Sequence, residues 1–445
     1  MRVEIKEKEL FKKLIKQNFD FDIDINNINS ICTDSRFIEK NDIFIPIKGK
    51  QTDGHNFIND AISKDASIIF SEKSFDNNRI INVDSTKKAL KNLSIQWINF
   101  FKKPIIAITG SNGKTTTKEM IRKVFESISQ TNHTLGNYNS SIGLPVNLFN
   151  FSVSSEPIIL EMGANNPGEI DYLCKIAKPD YSIITNIQNA HIGNFESIQD
   201  LIKTKISIFE NTNNDGLIFQ NSDDIYLSDI CKNFSNKIRF GFNNKNVDFF
   251  GCIKIINNKI NFQINGKTIE NSNINEIMAK NMLAAYSVAH TYGIDHTIIK
   301  NTFKKFNFLN GRGNHIQHKG YLIIDDTYNA NIDSFKSGIN AFLSINCKGR
   351  KFLVVGDMEE LGNKSISYHL ELGEFINNKN VDFVFGVGSK IKNTINSINN
   401  SQIYSKFFKT RQELVSLLKT QLQKNDAVYL KASRSMQFEK IIEKL

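Results

Sequence analysis

One stretch of the sequence restricts the fold more than any other: residues 104–117, PIIAITGSNGKTTT. Residues 105–109 are apolar and rich in isoleucine, which predicts one buried β-strand. A turn containing Gly110 and Gly113 follows, and residues 117–127 are compatible with a helix. In such a unit the glycines let backbone N–H groups face an anion, and the helix N-terminus adds its positive dipole end. The stretch therefore predicts a nucleotide-phosphate site in an α/β sheet.

The two residues after the turn, Lys114 and Thr115, match the end of a phosphate-binding loop. The usual pattern is G-x-x-x-x-G-K-[ST], but Ile108 stands where its first glycine would be, which leaves G-x-x-G-K-T after Thr109. In such a loop the lysine reaches the β- and γ-phosphates and the hydroxyl sits on Mg²⁺. A chance glycine turn is the alternative; the strand and helix on either side favour nucleotide binding.

The composition argues against several classes of protein. A net charge of +10 and a pI near 9.1 would suit nucleic-acid binding, but no dense basic block interleaved with aromatic residues is present. We therefore expect no nucleic-acid partner, and an anionic small substrate is equally consistent with the charge. Five cysteines, an odd number without C-x-x-C spacing, argue against disulfides and zinc (Cys32, Cys174, Cys231, Cys252 and Cys347).

The termini and apolar runs indicate the compartment. The first ten residues are charged where a signal peptide would be apolar. No apolar run approaches the roughly 20 residues that a membrane span needs. We expect a cytoplasmic monomer without membrane insertion.

At 445 residues the chain is too long for one ordinary core. The pattern predicts an α/β fold of three domains: a small α/β unit over residues 1–103, a central unit with a mostly parallel sheet over 104–314, and a Rossmann-like unit over 315–445. Within the central unit, residues 216–275 are rich in asparagine and predict only short strands such as 217–220.

Polar side chains follow the predicted strands of the central unit. Glu161 lies at the end of strand 157–162, and His191 follows strand 181–185. Ligands of open α/β sheets gather at the carboxyl ends of strands, so these residues and Lys114 are expected at one rim. Separately, Glu161 could be a surface carboxylate and His191 a loop histidine bonded to backbone.

Two predicted helices carry further candidates. Segment 197–210 contains Lys203 and Lys205, which the pattern alone would leave as solvated lysines. Segment 276–292 has apolar residues at helical spacing, with Asn281 on a flank. In the third unit, polar strand ends at 325–331, 356–362 and 431–434 indicate a second-substrate surface.

Taken together, these motifs resemble the Mur ligase family. The residues that carry the resemblance are TGSNGKT at 109–115, EMGANNPGEI at 161–170, Asn281, Gly311-Arg312, DDTYNAN at 325–331 and GDMEELG at 356–362, with TDSR at 33–36 and Gly54-His55 in the first unit. The resemblance implies an N-terminal domain for a UDP-sugar, a central ATPase and a C-terminal domain for D-Ala-D-Ala. It implies amide formation between UDP-MurNAc-tripeptide and D-Ala-D-Ala through an acyl phosphate, with ATP and Mg²⁺.

The resemblance also implies the roles of individual residues. Lys114, Lys205 and His191 would be catalytic, and Thr115, Glu161, His191 and a carbamylated Lys205 would bind Mg²⁺. The nucleotide would be held by Gly110, Ser111, Asn112, Gly113, Lys114, Thr115, Thr116, Asn281, Arg312, Asp326, Tyr328 and Asn329. Ser35, Arg36, Lys48, Gly49, Asn137 and Asn139 would contact the UDP-sugar, and Asp357 and Arg434 the dipeptide.

Three alternatives remain at this stage. The preceding ligase of the family adds the third amino acid and typically carries Asp-Asn-Pro-Arg, which is absent here. A GTPase-like switch would need Asn-Lys-x-Asp, and the two nearest matches, at 244–248 and 378–382, are one residue too long. A nucleic-acid-stimulated ATPase would rest on the net charge alone.

Overall fold

The computed structural model describes residues 1–49, 51–189, 192–256, 259–271 and 274–445. Within these residues three β-sheets of five, nine and six strands follow one another along the chain, and helices connect and cover their strands. Most neighbouring strands are parallel. The predicted α/β class with mostly parallel sheets is confirmed.

The first sheet belongs to the N-terminal part of the chain. Its elements are β1 (Arg2–Glu4), α1 (Lys8–Phe19), β2 (Ser30–Cys32), β3 (Ile43–Phe44), α2 (Ile58–Ser63), β4 (Ile68–Ser71), β5 (Ile80–Asn82) and α3 (Thr86–Asn99). The strands lie in chain order, and only the β1–β2 pair is antiparallel. Helix α3 begins after Ser85, whose side chain caps it by accepting the N–H of Lys88.

The second sheet is the largest. Its strands are β6 (Ile105–Thr109), β7 (Asn132–His133), β8 (Ile158–Glu161), β9 (Tyr181–Ile184), β10 (Leu217–Asn221), β11 (Lys237–Gly241), β12 (Phe249–Ile256), β13 (Lys259–Ile264) and β14 (Lys267–Ile269). Its helices are α4 (Lys114–Glu126), α5 (Gly143–Leu148), α6 (Glu169–Ile176), α7 (Ile198–Glu210), α8 (Ile225–Ile230), α9 (Glu276–Thr291) and α10 (His296–Lys304). The order is β14–β13–β12–β11–β10–β9–β6–β8–β7, and the two pairs that involve β13 are antiparallel.

The third sheet completes the chain. Its elements are β15 (Asn314–His318), β16 (Tyr321–Asp326), α11 (Ile332–Leu343), β17 (Lys351–Gly356), α12 (Ser365–Asn377), β18 (Phe383–Val387), α13 (Lys392–Ser397), β19 (Tyr404–Phe408), α14 (Arg411–Gln421), β20 (Ala427–Lys431) and α15 (Glu439–Ile442). The order is β15–β16–β20–β17–β18–β19, with only β15 antiparallel to its neighbour. The last strand is thus inserted between β16 and β17.

The register of the central strands explains why their polar ends meet. Strand β6 lies between β8 and β9, with Ile108 opposite Glu161 and Thr109 opposite Ile184. All five residues of β6 are buried, as expected for a parallel strand covered by helices on both faces. Because the three strands run in the same direction, their carboxyl ends and following loops lie at one edge of the sheet.

The three parts of the chain pack on one another. The indole N–H of Trp97, on α3, donates to the carbonyl of Leu148 at the end of α5 (2.8 Å), and both parts share one apolar core. Toward the other end, Ile192, Phe195 and Leu201 of the central part pack into the core of the third sheet. The backbones of Gly193 and Gly362 approach so closely that a Cβ at Gly193 would overlap the other chain segment.

Several predicted elements are confirmed within one or two residues, among them β6, β9, β16, β17 and β20. The prediction of only short strands for residues 216–275 was incomplete: among the described residues of this range the structure has five strands, helix α8 and a 3-10 helix. Strands β10 and β11 are parallel and end in Asn221 and Gly241, while β12, β13 and β14 form an antiparallel ribbon. Asparagines in the turns between these strands, such as Asn243 and Asn265, obscured the strand pattern in the sequence.

Among the described ranges, none of the helices is both long and apolar enough to cross a membrane.

Trp97 provides a test of the packing between the first two parts. The side chain is fully buried, contacts the rings of Phe11, Phe101 and Phe149, and donates its indole N–H to Leu148. Trp97→Phe should lower the free energy of unfolding by about 2–3 kcal/mol, because it removes ring volume and one buried hydrogen bond. Urea denaturation monitored by circular dichroism measures the change. The control is Ile366→Ala on the exposed face of α12, whose free energy of unfolding is expected to lie within about 0.5 kcal/mol of the parent value. Equal destabilisation by the two substitutions would contradict the packing role of Trp97.

Candidate active site

The phosphate loop (residues 110–115) has the backbone that its glycines predict. Gly110 and Gly113 have φ values of +145° and +81°, and a Cβ at either would overlap a neighbour, Thr185 or Asn281 respectively. Helix α4 begins at Lys114, directly after Gly113. The first backbone N–H groups of a helix have no acceptor within the helix, so they face the cavity at this end as anion donors.

A second loop, the clamp loop (residues 185–188), holds the first half of the phosphate loop. The backbone N–H groups of Ser111 and Asn112 donate to the carbonyl and side-chain oxygens of Asn186 (2.9 and 3.0 Å). The Ser111 hydroxyl donates to the Gln188 carbonyl and accepts the Gln188 N–H, both at 2.8 Å. Two of the loop's backbone donors are therefore already engaged, and those at the start of α4 are left for an anion.

Two lysine amines meet at one carbonyl of the phosphate loop. The Nζ atom of Lys114 lies 2.7 Å from the Gly110 oxygen, and the Nζ of Lys205, on α7, lies 3.1 Å from the same oxygen. Burial, followed by the positive charge of Lys114, lowers the pKa of Lys205 well below the usual lysine value. Burial is also the main cause that lowers the pKa of Lys114. Lys203, two residues earlier on α7, is exposed, so the two lysines of this helix differ in burial.

Glu161, at the end of β8, directs a carboxylate with one uncommitted oxygen toward the cavity. Its side chain is 1% exposed, and one oxygen accepts the Nδ2 of Asn139 at 2.6 Å. The other oxygen, Oε2, is buried without a hydrogen-bond partner. An ionised buried oxygen of this kind is costly unless a cation or donor binds it.

The third sheet contributes the opposite wall. The Arg312 guanidinium lies 3.8 Å from the centre of the Tyr328 ring. Asp326, the last residue of β16, accepts hydrogen bonds from Tyr429 and Lys431. The fold at this point is stabilised by Asp325, which accepts the Gly311 N–H at 2.8 Å and the Thr327 hydroxyl at 2.6 Å.

These groups enclose a cavity of about 310 Å³ between the second and third sheets. The predicted residues that line it are Ser111, Asn112, Gly113, Lys114, Thr115, Thr116, Asn137, Asn139, Glu161, Asn281, Arg312, Asp326, Tyr328 and Asn329. Gly110, the first residue of the phosphate loop, and Lys205, which contacts the Gly110 carbonyl, do not line it. Sequence reasoning assigned no role to Ser140, Asn165, Asn331 and Lys431, which also line the cavity. Two of these, Asn331 and Lys431, stand in the strand-end motifs, which is the signal that could have found them.

Other predicted residues lie elsewhere. Ser35 is buried, Arg36 is exposed and paired with Asp34 at 2.7 Å, and Lys48 and Gly49 are exposed in the first unit. They remain predicted contacts of a sugar nucleotide. His191, predicted as a catalytic residue and metal ligand, lies outside the described residues.

The two residues predicted for the dipeptide differ in their surroundings. The Asp357 carboxylate is buried and accepts the backbone N–H groups of Lys390 and Ile391 (3.0 and 2.7 Å), which gives it a structural role in that turn. Arg434 borders a neighbouring cavity of about 350 Å³, which shares four lining residues with the first: Thr115, Asn137, Arg312 and Tyr328. Both stay predictions as dipeptide ligands.

The fold and the cavity define a nucleotide-binding α/β protein whose site lies between two sheets. Known families match successive parts of it: the Mur ligase family, catalytic domain at residues 27–108, the Mur ligase middle domain at 108–289 and the Mur ligase, glutamate ligase domain at 311–434. A UDP-N-acetylmuramoyl-tripeptide–D-alanyl-D-alanine ligase of Buchnera aphidicola subsp. Baizongia pistaciae is 35% identical over 432 residues, which cover 94% of this chain and 92% of the relative.

Solved structures agree with the sequence relatives. MurF from Acinetobacter baumannii superimposes with a TM-score of 0.87 at 27% identity and covers 98% of both chains. The MurF ligase from Thermotoga maritima in complex with ADP gives 0.83 at 30% identity and covers 93% of this chain and 96% of that one. The chain belongs to the Mur ligase family.

One bridge joins the phosphate loop to the third sheet and can be tested. The Asn331 Nδ2 donates to the Asn112 Oδ1 at 2.9 Å, while the Asn331 Oδ1 caps α11 by accepting the Ser334 N–H at 2.8 Å. Asn331→Ser keeps a capping oxygen but loses the bridge. We expect a roughly fivefold rise in KM for ATP, the value of about one neutral hydrogen bond.

The control for this bridge is a double-mutant cycle with Asn112→Ala. A coupling of about 1 kcal/mol in kcat/KM is expected between the two positions. Independent, additive effects, or a large drop in melting temperature for Asn331→Ser alone, would contradict the bridge.

Proposed function

We propose that the protein is an ATP-dependent amide ligase that joins D-Ala-D-Ala to the peptide carboxylate of UDP-N-acetylmuramoyl-tripeptide, a step in peptidoglycan precursor synthesis. The observation that carries this proposal is the cavity in which Lys114 and Glu161 of the second sheet face Arg312 and Asp326 of the third. The name of the relative that matches 94% of the chain supports the particular reaction.

The chemistry explains why such a cavity is needed. A carboxylate is a poor electrophile, so one of its oxygens first attacks the γ-phosphorus of ATP, which gives an acyl phosphate and ADP. The neutral amine of the dipeptide then attacks the acyl carbon, and the tetrahedral intermediate expels phosphate as the amine loses its proton. Lys114 and the N–H groups at the start of α4 stabilise charge on the phosphates.

The residues present fit a Mg²⁺ ion. Among the described ranges no group of three or more His, Cys, Asp and Glu side chains is placed to hold a metal. Mg²⁺, however, is usually bound through one or two carboxylates, with the remaining ligands from water and phosphate. Glu161, with its unpartnered Oε2, and the Thr115 hydroxyl would hold it. When bound, the ion would neutralise phosphate charge.

Lys205 fits the carbamate that the family pattern implies. Carbamylation joins a neutral amine to CO₂, forms an N–C bond and releases one proton. Burial and the charge of Lys114 lower the pKa of Lys205, which favours the neutral amine that this reaction needs. A carbamate would also replace a second positive charge beside Lys114 with a negative one and supply oxygen ligands for a cation.

The remaining assignments belong to this proposal. Residues 1–103 form the UDP-sugar domain, 104–314 the ATP domain and 315–445 the dipeptide domain. Ser35, Arg36, Lys48, Gly49, Asn137 and Asn139 contact the sugar nucleotide, Arg434 and Asp357 serve the dipeptide side, and His191 serves the metal. The protein acts as a cytoplasmic monomer.

Phosphate release tests the reaction. Purified protein with ATP and Mg²⁺ should release phosphate only when UDP-MurNAc-tripeptide and D-Ala-D-Ala are both present, because each substrate supplies one half of the amide. A coupled phosphate assay with mass spectrometry of the product measures this. Turnover with the dipeptide nucleotide and a free third amino acid instead would assign the chain to the preceding step, and stimulation by DNA or RNA would contradict a ligase.

The carbamate has its own test. Lys205→Ala should lower kcat about 100-fold or more, as expected for loss of a group at the metal site, and bicarbonate should not restore it. Lys203→Ala, an exposed lysine of the same helix, is the matched control and should retain activity. Labelling with ¹³CO₂ should give a carbamate carbon signal in the parent that Lys205→Ala lacks. Near-normal turnover of Lys205→Ala would overturn the role.

A further inference from the structure

Two neighbouring strands of the third sheet bring three polar side chains together at the cavity wall. Strands β16 and β20 are parallel, with Ile324 opposite Tyr429 and Asp326 opposite Lys431. Tyr429 and Lys431 are two residues apart and therefore project from the same face of β20. Asp326 ends β16 on that face, so both side chains reach it.

The contacts are specific to one oxygen of the carboxylate. The Oδ2 atom of Asp326 accepts the Tyr429 hydroxyl and the Lys431 ammonium, each at 2.7 Å. Lys431 also donates to the carbonyl of Asn329 at 3.0 Å. Burial and the nearby carboxylate raise the pKa of Tyr429, so its hydroxyl keeps its proton and remains a donor. Asp326 is thereby held from one side while it lines the cavity on the other.

The surrounding helix leaves room for this arrangement. A Cβ at Gly338, on α11, would overlap the Tyr429 hydroxyl and come within 3.2 Å of the Asp326 Oδ2. Tyr429 and Lys431 are 1% and 3% exposed. Both donors are therefore buried and fixed, although only Lys431 borders the cavity. The Tyr429 hydroxyl donates to Asp326 but does not line the cavity, so its contact with the site is only through Asp326.

We propose that Tyr429 and Lys431 are positioning residues that orient Asp326 toward the ribose hydroxyls of the nucleotide, and so make the enzyme prefer ATP over deoxyadenosine triphosphates. The inference rests on the proposed contact between Asp326 and ribose. If the Asp326 carboxylate were free to rotate, nucleotide binding would have to select one of its rotamers. The side-chain entropy lost in this selection would weaken the contact with ribose. Lys431 also offsets the negative charge of Asp326, which would otherwise repel the nearby triphosphate.

The test compares three nucleotides in the phosphate-release assay: ATP, 2′-deoxy-ATP and 3′-deoxy-ATP. Tyr429→Phe should lower kcat/KM for ATP about fivefold, the value of about one hydrogen bond, while the deoxy nucleotide that lacks the contacted hydroxyl changes less than twofold. The preference for ATP should therefore fall about 2.5- to fivefold, with kcat at saturating ATP unchanged. Lys431→Met should reduce the preference in the same direction, with an added rise in KM for every nucleotide.

Tyr321→Phe is the matched control, because it removes a tyrosine hydroxyl at the other end of β16. It should leave the nucleotide preference as in the parent. Melting temperatures of all variants verify folding, and if Tyr429→Phe does not fold, the preference of Lys431→Met decides the question.

Two results would overturn the proposal, and they differ. If the parent discriminates and Asp326→Asn loses discrimination, but Tyr429→Phe lowers kcat/KM equally for all three nucleotides, the ribose contact stands and the positioning role is wrong. If the parent does not discriminate and Asp326→Asn is unaffected, the proposed ribose contact itself is wrong. Ligation of D-Ala-D-Ala with ATP, measured separately, remains a test of the function alone.

Discussion

The site depends on the carbonyl of Gly110, which the buried Lys205 amine and the half-buried Lys114 amine share. Lys114 reaches it from the start of α4 and Lys205 from the middle of α7, at 2.7 and 3.1 Å. Two ammonium groups so close in a buried place repel, and one can be relieved by losing its proton. Burial and the charge of Lys114 lower the pKa of Lys205, which favours proton loss from that amine. The strand–turn–helix unit thus places the Lys114 amine beside the cavity and brings the Lys205 amine to the same carbonyl.

The clamp loop explains why the phosphate loop can be short. A longer loop wraps a phosphate with several of its own N–H groups. Here the N–H groups of Ser111 and Asn112 are held by Asn186, so the loop is shaped by the neighbouring strand end. The side chain of Asn112 then reaches Asn331 of the third sheet. Asn112 therefore connects the phosphate loop both to the clamp loop, through Asn186, and to the third sheet, through Asn331.

Much of this could be predicted from the sequence, and the limits have physical causes. Residues 105–115 carry their own signal, because a buried parallel strand and a glycine turn need particular residues in consecutive positions. Lys205 is different: a lysine on an amphipathic helix looks solvated, and only the tertiary fold buries it while Lys203 stays exposed. Asp326 and Tyr429 are about a hundred residues apart in the sequence. They form a pair because β20 is inserted beside β16. Pairings of that kind depend on strand order, which local patterns do not contain.

The charges of the cavity lining favour the binding of an added cation together with the nucleotide. Its lining contains three basic side chains, Lys114, Arg312 and Lys431, and three carboxylates, Glu161, Glu169 and Asp326. The formal charges of these six side chains sum to zero, and burial lowers the pKa of Lys114. A triphosphate and a second carboxylate bring several negative charges into it, and a low-dielectric site cannot hold them without more positive charge. A cation bound to the unpartnered Oε2 of Glu161 would supply that charge. The nucleotide and the metal are therefore expected to bind together, each offsetting the charge that the other brings.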